Sequence, residues 1–185
     1  MPMGQLSCET GIHMSSLFGP IRQNGIIVSS LDEALEYWTQ TLRIGPFFRM
    51  DHVAMESFRY RGELSTPDVS IALANSGDMQ IELIEQHNDA SSPYLDFLNE
   101  HGPGLQHVSV WSENFDTDMQ RFADDGATLL AEGVMADSGT RFSYFEGGND
   151  GQPVMEVADL TPDLKQIFAM IRDEASGWDG SDPVR

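Results

Sequence analysis

Residues 23–38 read QNGIIVSSLDEALEYW, and residues 107–122 read HVSVWSENFDTDMQRF. Sliding the chain by 84 positions, from residue 23 to residue 107, lays the first stretch on the second without a gap. The apolar residues of the two helical stripes stay in phase, with Leu31 on Phe115, Leu35 on Met119 and Trp38 on Phe122. An internal repeat of this kind predicts two related modules.

Each module begins with a strand that runs into a helix. In the first module Ser30 and Glu33 form an S-x-x-E capping box, and in the second Asn114 opens the helix and Gly126 ends it. Strand patterns follow in both, including a single strand predicted over residues 57–64. A shift of 74 positions lays residues 81–85, IELIE, on residues 155–159, MEVAD, so the closing strands also match.

The pattern predicts an α+β fold in which two βαβββ modules form a cupped mixed β-sheet with helices outside. We expect a flexible N-terminal arm over residues 1–18 and the main domain over residues 19–160. Within it, module one covers about 20–87, a connector helix 91–102 and module two about 104–160. A C-terminal helix and tail fill residues 161–185, the helix packing on the flank of the domain and Trp178 anchoring the tail.

Composition excludes several classes of partner. The formal charge of -20 offers no basic surface for nucleic acid or for an anionic membrane. No basic leader or long apolar run is visible, so we expect a cytoplasmic protein. The single cysteine, Cys8, has no partner for a disulfide within the chain.

Four polar residues fall on the strand face opposite the apolar residues of the opening and closing strands. Together they offer amide, carboxylate and imidazole donors, and they are Gln23, Glu82, His107 and Glu156. Such a set suits one divalent ion of zinc, nickel, cobalt or manganese. The small residues Gly25, Ser109 and Ala158 on the same face are expected to leave room for a substrate.

Taken singly, each of these residues has a simpler interpretation. Gln23 suits the edge of a strand, His107 suits a hydrogen-bonded core position, and a strand glutamate is usually solvated. Taken together, four donors at equivalent positions of two repeats favour a metal site, because ordinary surface patterning does not predict that coincidence.

The segments QNGIIVSSLDEAL (23–35), MQIELIE (79–85), GPGLQHVSV (102–110) and PVMEVAD (153–159) resemble the ligand-bearing strands of the vicinal-oxygen-chelate superfamily. That superfamily includes glyoxalases, bleomycin resistance proteins and methylmalonyl-CoA epimerases, and the resemblance covers about residues 20–160. It implies a glyoxalase-like fold and the four ligands Gln23, Glu82, His107 and Glu156. The order Gln, Glu, His, Glu is similar to that of some glyoxalases.

The chain also departs from family patterns. Gln23 replaces a histidine that iron-dependent dioxygenases of the superfamily need. Ser65, Thr66 and Pro67 lie where the epimerases carry a second catalytic glutamate, which places two-base racemisation in doubt. The chain also has only 10 Lys and Arg residues with which to bind the carboxylates of glutathione.

We therefore expect a metal-dependent lyase or isomerase that stabilises an enolate, with Glu156 as the base. The resemblance implies that this glutamate can leave the metal during turnover. Aromatic residues are expected to contact an apolar or aromatic-derived small-molecule substrate, namely Trp111, Phe142, Tyr144 and Phe48. The alternative is a non-catalytic, ligand-sequestering protein of the bleomycin-resistance type. Exposed sheet edges leave the pairing of two chains into a homodimer open.

Overall fold

The structure, a computed structural model, describes residues 18–148 and 151–185. Its strands are β1 (Gln23–Ile27), β2 (Phe48–Met50), β3 (Met55–Tyr60), β4 (Glu63–Leu64), β5 (Val69–Ser76), β6 (Met79–Gln86), β7 (Gly104–Ser112), β8 (Leu129–Met135), β9 (Arg141–Phe145) and β10 (Val154–Asp159). Its helices are α1 (Leu31–Glu36), which continues as a π-helix (Tyr37–Thr41), α2 (Pro93–His101), α3 (Phe115–Asp124) and α4 (Pro162–Ser176).

All ten strands belong to one curled mixed sheet, in the order β2-β5-β6-β1-β7-β10-β9-β8-β3-β4. The two modules meet where β1 runs antiparallel to β7, and Gln23 pairs with Ser109 while Gly25 pairs with His107. Each opening strand is parallel to the closing strand of its own module, β1 to β6 and β7 to β10. This register relates the modules by an approximate two-fold rotation and confirms the predicted fold class.

The convex face of the sheet carries the helices of the two repeats. Leu31 and Leu35 of α1 are buried against the strand residues Ile81 and Leu83. In module two the equivalent cluster joins Phe115 and Phe122 of α3 to Val110, Phe145 and Val157. Both clusters use the apolar alternation of the strands, which places the four predicted ligands on the opposite face among the apolar residues that line the cup.

The prediction of one continuous strand over residues 57–64 is wrong, because Arg61 and Gly62 turn the chain back between β3 and β4. Both residues adopt left-handed backbone conformations, with φ of 51° and 84°. Two consecutive residues of this kind suit a tight hairpin turn. The resulting hairpin, β3 and β4, leaves module one and pairs β3 with β8 at the outer edge of module two.

The C-terminal helix α4 lies on the concave face rather than on the flank that we predicted. Phe168 and Ile171 of α4 form a buried cluster with Leu73 of β5. Leu73 pairs with Glu82 across β5 and β6 and therefore points to the concave side. The helix α4 does bury its apolar stripe as predicted, but it does so against the concave face of the sheet.

The tail after α4 returns to the edge of the sheet. Backbone hydrogen bonds join Phe47 to Pro183 and to Arg185, and Arg49 to Arg185, so the tail lies beside β2. The ring of Trp178 packs against Gly45, as expected of an anchor.

Residues 1–17 of the predicted arm lie outside the described residues, whereas Phe18 stacks on Phe122 with ring centroids 4.1 Å apart. Within the described chain, no helix is long and apolar enough to span a membrane.

Candidate metal centre and its cavity

Two rows of cross-strand neighbours place the four predicted ligands on the concave face. One row runs from Glu82 through Gly25 to His107, and the other runs from Gln23 through Ser109 to Glu156. The rows are two residues apart on the central strands, and side chains two residues apart share a face of a sheet. The register thus brings one opening-strand and one closing-strand ligand from each module to the same place.

Three of the four side chains converge closely. The ligand atoms of Glu82, His107 and Glu156 all lie within 4.8 Å of one another. His107 Nε2 is 3.3 Å from Glu82 Oε2 and 3.7 Å from Glu156 Oε2. The His107 side chain is fully buried, and those of Glu82 and Glu156 are 12% and 8% exposed. Gln23, which is also buried, lies on the same face and lines the same cavity as the two carboxylates.

A hydrogen bond at Nδ1 fixes the orientation of the His107 ring. Gln106, itself buried, places Oε1 2.6 Å from His107 Nδ1. An amide oxygen can only accept, so Nδ1 carries the proton and Nε2 presents its lone pair to the two carboxylates. Among the described buried side-chain atoms, Nε2 is one of the few without a hydrogen-bond partner. A buried acceptor aimed at two carboxylates is what a cation site requires.

Gly25 provides the space for this ring. A Cβ atom built on Gly25 would overlap Cε1, Nε2 and Nδ1 of His107. We expected Gly25 to leave room for a substrate, but the imidazole of the neighbouring strand fills that room. Ala158, by contrast, does line the cavity.

Gln23 has an orienting partner of its own. Its Nε2 donates to Gln80 Oε1 at 2.9 Å, and Gln80 is fully buried on the closing strand of the same module. Since the amide nitrogen is engaged there, the oxygen of Gln23 is the atom left for a metal.

Burial and mutual charge dominate the electrostatics of the site. Burial raises the pKa of Glu156, and the nearby Glu82 raises it further, while His107 acts in the opposite direction. Burial lowers the pKa of His107, but Glu82 and Glu156 outweigh it, and the net shift is upward. Burial also raises the pKa of Tyr144 well above its usual value, so this phenol stays neutral. The clustered carboxylates thus need a positive charge beside them.

Three of the predicted ligands, Gln23, Glu82 and Glu156, line a cavity of about 180 Å³ inside the cup. Of the predicted substrate-contacting residues, Phe142 and Tyr144 line it. Trp111 and Phe48 do not, because both pack beneath α4, where the Trp111 and Phe168 rings lie 4.4 Å apart. Phe48 pairs with Leu73 and Trp111 with Ala158, so both lie on the concave face, but α4 covers them.

A family model for the Glyoxalase/Bleomycin resistance protein/Dioxygenase superfamily matches residues 22–145. The chain belongs to this superfamily. The match includes the strands of Gln23, Glu82 and His107 and ends before β10, which carries Glu156. The resemblance inferred from the four strand segments is thereby confirmed.

Solved structures share the fold at low sequence identity. Methylmalonyl-CoA epimerase from Mycobacterium tuberculosis is similar at a TM-score of 0.57 and 21% identity, covering 83% of this chain and 97% of that one. A hypothetical protein from Bacillus halodurans C-125 gives 0.56 and 18%, covering 76% and 93%. A variant of the Streptomyces coelicolor epimerase, in complex with 2-nitronate-propionyl-CoA, gives 0.53 and 18%, covering 75% and 95%. No curated protein matches this chain significantly.

Several residues around this superfamily site were missed by sequence reasoning. Gln106 and Gln80 orient two of the predicted ligands, and Tyr94 of α2 donates to the Tyr144 hydroxyl at 3.1 Å. Gln106 directly precedes a predicted ligand, and that adjacency was the one available signal. The cavity wall also contains residues whose apolar character resembles ordinary core, among them Met50, Met55, Met135, Leu164 and Ile167.

Proposed function

We propose that the protein is a divalent-metal-dependent lyase or isomerase that acts on a small, apolar or aromatic-derived oxygenated metabolite. One observation carries the proposal: the carboxylates of Glu82 and Glu156 converge on the unpartnered, buried Nε2 of His107 at the wall of an apolar cavity. Gln23 completes the proposed ligand set. The fold of the superfamily and the donor types support the same conclusion.

The donors fit a borderline divalent ion. One imidazole, two carboxylates and an amide oxygen suit zinc, nickel, cobalt or manganese, and the described cluster contains no thiolate that would favour a softer ion. When bound, such an ion supplies Lewis-acid polarisation of a substrate oxygen, which is worth several kcal/mol in the transition state.

Glu156 is the proposed general base. Its carboxylate lines the cavity and lies beside Tyr144, its cross-strand neighbour. Burial raises its pKa, so the carboxylate accepts a proton more readily than an exposed one. In this role Glu156 takes the proton from the carbon next to a substrate carbonyl, while Phe142 and Tyr144 hold the apolar part of the substrate and exclude water.

Elemental analysis and proton exchange test the proposal. Protein purified without added metal is expected to carry a near-stoichiometric divalent ion, or to take one up on titration. The loaded protein is expected to exchange the methylene protons of 2-hydroxyacetophenone in D₂O, followed by NMR. Glu156→Gln should keep the fold and most of the metal but lose exchange, whereas Glu100→Gln, exposed on α2, should keep all three. Undiminished exchange in Glu156→Gln would remove that residue from the mechanism.

The apolar lining of the cavity also suits the alternative, a protein that sequesters an apolar compound without metal chemistry. Titration with a divalent metal ion separates the two functions. A protein that binds no divalent ion even after titration, yet retains apolar ligands, is the sequestering protein.

A further inference from the structure

The charged residues that surround the cavity are all acidic. Its lining contains Glu82, Glu156, Asp137 and Asp163, and none of the ten Lys and Arg residues of the chain, all of which lie in the described ranges. A bound divalent ion would balance the charges of Glu82 and Glu156, which form one cluster with His107. The two aspartates are exposed and lie outside that cluster.

Those two aspartates border the cavity where it meets solvent, a region that we call the mouth. Asp137 lies in the exposed turn between β8 and β9, next to Ser138. Asp163 is exposed in the first turn of α4. Charges act over about one screening length, roughly 8 Å at physiological salt, so two carboxylates that line a small cavity act on a ligand that enters it.

The start of α4 gives an anion no compensating site. Helix amino-termini attract phosphate through free backbone N–H groups and the helix dipole. Here the Thr161 side chain accepts from the N–H of Leu164, and the carboxylate of Asp163 already occupies the first turn. The feature that could have bound a phosphate is thus capped and carries its own negative charge.

Basic residues that adjoin lining residues in the sequence are engaged elsewhere, and Lys165, which follows Leu164, pairs with Glu113. Arg49, which precedes the lining residue Met50, pairs with Asp32 and Asp51. Arg141, which precedes Phe142, pairs with Asp116 and Asp159. Turning either guanidinium toward the mouth would break two ion pairs.

We infer that the substrate is a small chelating compound whose remainder is apolar and either uncharged or cationic, and that phosphate- and carboxylate-bearing compounds, including CoA thioesters, are selected against. The inference rests on the proposed metal-dependent function. The cavity of about 180 Å³ agrees with it, since sites for larger ligands span roughly 300–1,000 Å³. The CoA compound named for the Streptomyces coelicolor structure is thus a poor guide to this chain's substrate.

Three hydroxamates that differ only at the far end test the inference. Each presents the same pair of chelating oxygens: octanohydroxamate ends in a methyl group, suberic monohydroxamate in a carboxylate and ω-aminooctanohydroxamate in an ammonium group. Calorimetry on the zinc-loaded protein is expected to show the neutral and cationic compounds binding about tenfold more tightly than the carboxylate, with the difference shrinking as salt is added.

Charge variants test whether Asp137 and Asp163 cause the discrimination against the carboxylate compound. Asp137→Asn/Asp163→Asn should remove most of the discrimination. Asp89→Asn/Asp125→Asn, which changes the net charge equally at exposed positions outside the cavity, should keep it.

Each result has a distinct meaning. Failure to bind zinc at all would defeat the proposed function and the inference with it. Zinc binding with equal or tighter binding of the carboxylate compound, or with no binding of any hydroxamate, would overturn the inference and leave the metal site standing.

Discussion

In module two the proposed opening-strand ligand is the imidazole of His107 and its cross-strand neighbour is Gly25, whereas in module one the proposed ligand is Gln23 and its neighbour is Ser109. The two pairs are equivalent under the two-fold relation of the modules. A rigid ring held flat against the sheet needs the space of a missing Cβ, but a flexible carboxamide does not. The repeat therefore keeps the positions of the ligands and adapts the residue opposite each one.

Gly25→Ala is expected to break the site most severely. The new methyl group overlaps the His107 ring. Since the backbone of Gly25 is paired with a strand on each side, the ring is the part that must leave its position. We expect zinc affinity to fall by more than about a hundredfold, and stability by about 1–3 kcal/mol, the usual cost of overpacking. Calorimetric zinc titration and urea unfolding measure the two effects.

The matched control is Gly104→Ala on β7, where the nearest atom to a new Cβ is Phe97 Cζ at 4.0 Å. This variant should bind zinc as the parent protein does. Normal zinc binding by Gly25→Ala would show that His107 is not held where the structure places it.

Replacing Gln106, which orients His107, is expected to lower zinc affinity more than replacing Gln80, which orients Gln23. Gln106→Leu removes the acceptor of the Nδ1 proton of His107, and losing such a partner typically costs about 10–100-fold in metal affinity. Gln80→Leu removes the partner of Gln23 but also a buried amide nitrogen that lacks its own hydrogen bond. Its effect on zinc affinity should be the smaller of the two, and competition with a chelating dye ranks them. A larger loss of zinc affinity in Gln80→Leu would mean that the orientation of Gln23 matters more for the ion than that of His107.

Ser109→Gly places in module two the residue that module one has at the equivalent position, Gly25, and should have the smallest effect. Gln23 needs no additional space, so we expect zinc affinity to change by a few-fold at most. A glycine inside a strand costs roughly 0.5–1 kcal/mol of stability. Ser143→Gly on β9 is the control for that general cost. A large loss of zinc affinity in Ser109→Gly alone would mean that the hydrogen bond between Ser109 and Glu156 is needed to hold the ion.

The face and register of the ligand strands were predictable from the sequence. Strand alternation requires residues two apart to share a face, and the 84-residue repeat fixed which residues are equivalent. From those two facts Gln23 and His107 had to lie near the axis that relates the modules. Glu82 and Glu156 follow from the second, 74-residue match.

The partners of several elements were not predictable. An apolar stripe shows that α4 buries one side, but not that it does so inside the cup, and Phe48 and Trp111 were misplaced for that reason. Alternation likewise cannot show that β3 pairs with β8 of the other module. In both cases the missing information is a long-range contact, which local periodicity does not encode.

The position of α4 has a consequence for how ligand choice can change. The cavity wall includes Leu164, Ile167 and Phe168, which belong to one continuous helix after the last strand. Grafting a different helix onto the end of β10 would therefore reshape the chamber while leaving the ion-binding strands intact. Part of the wall that contacts a ligand is thus encoded after the strands that carry the proposed metal ligands.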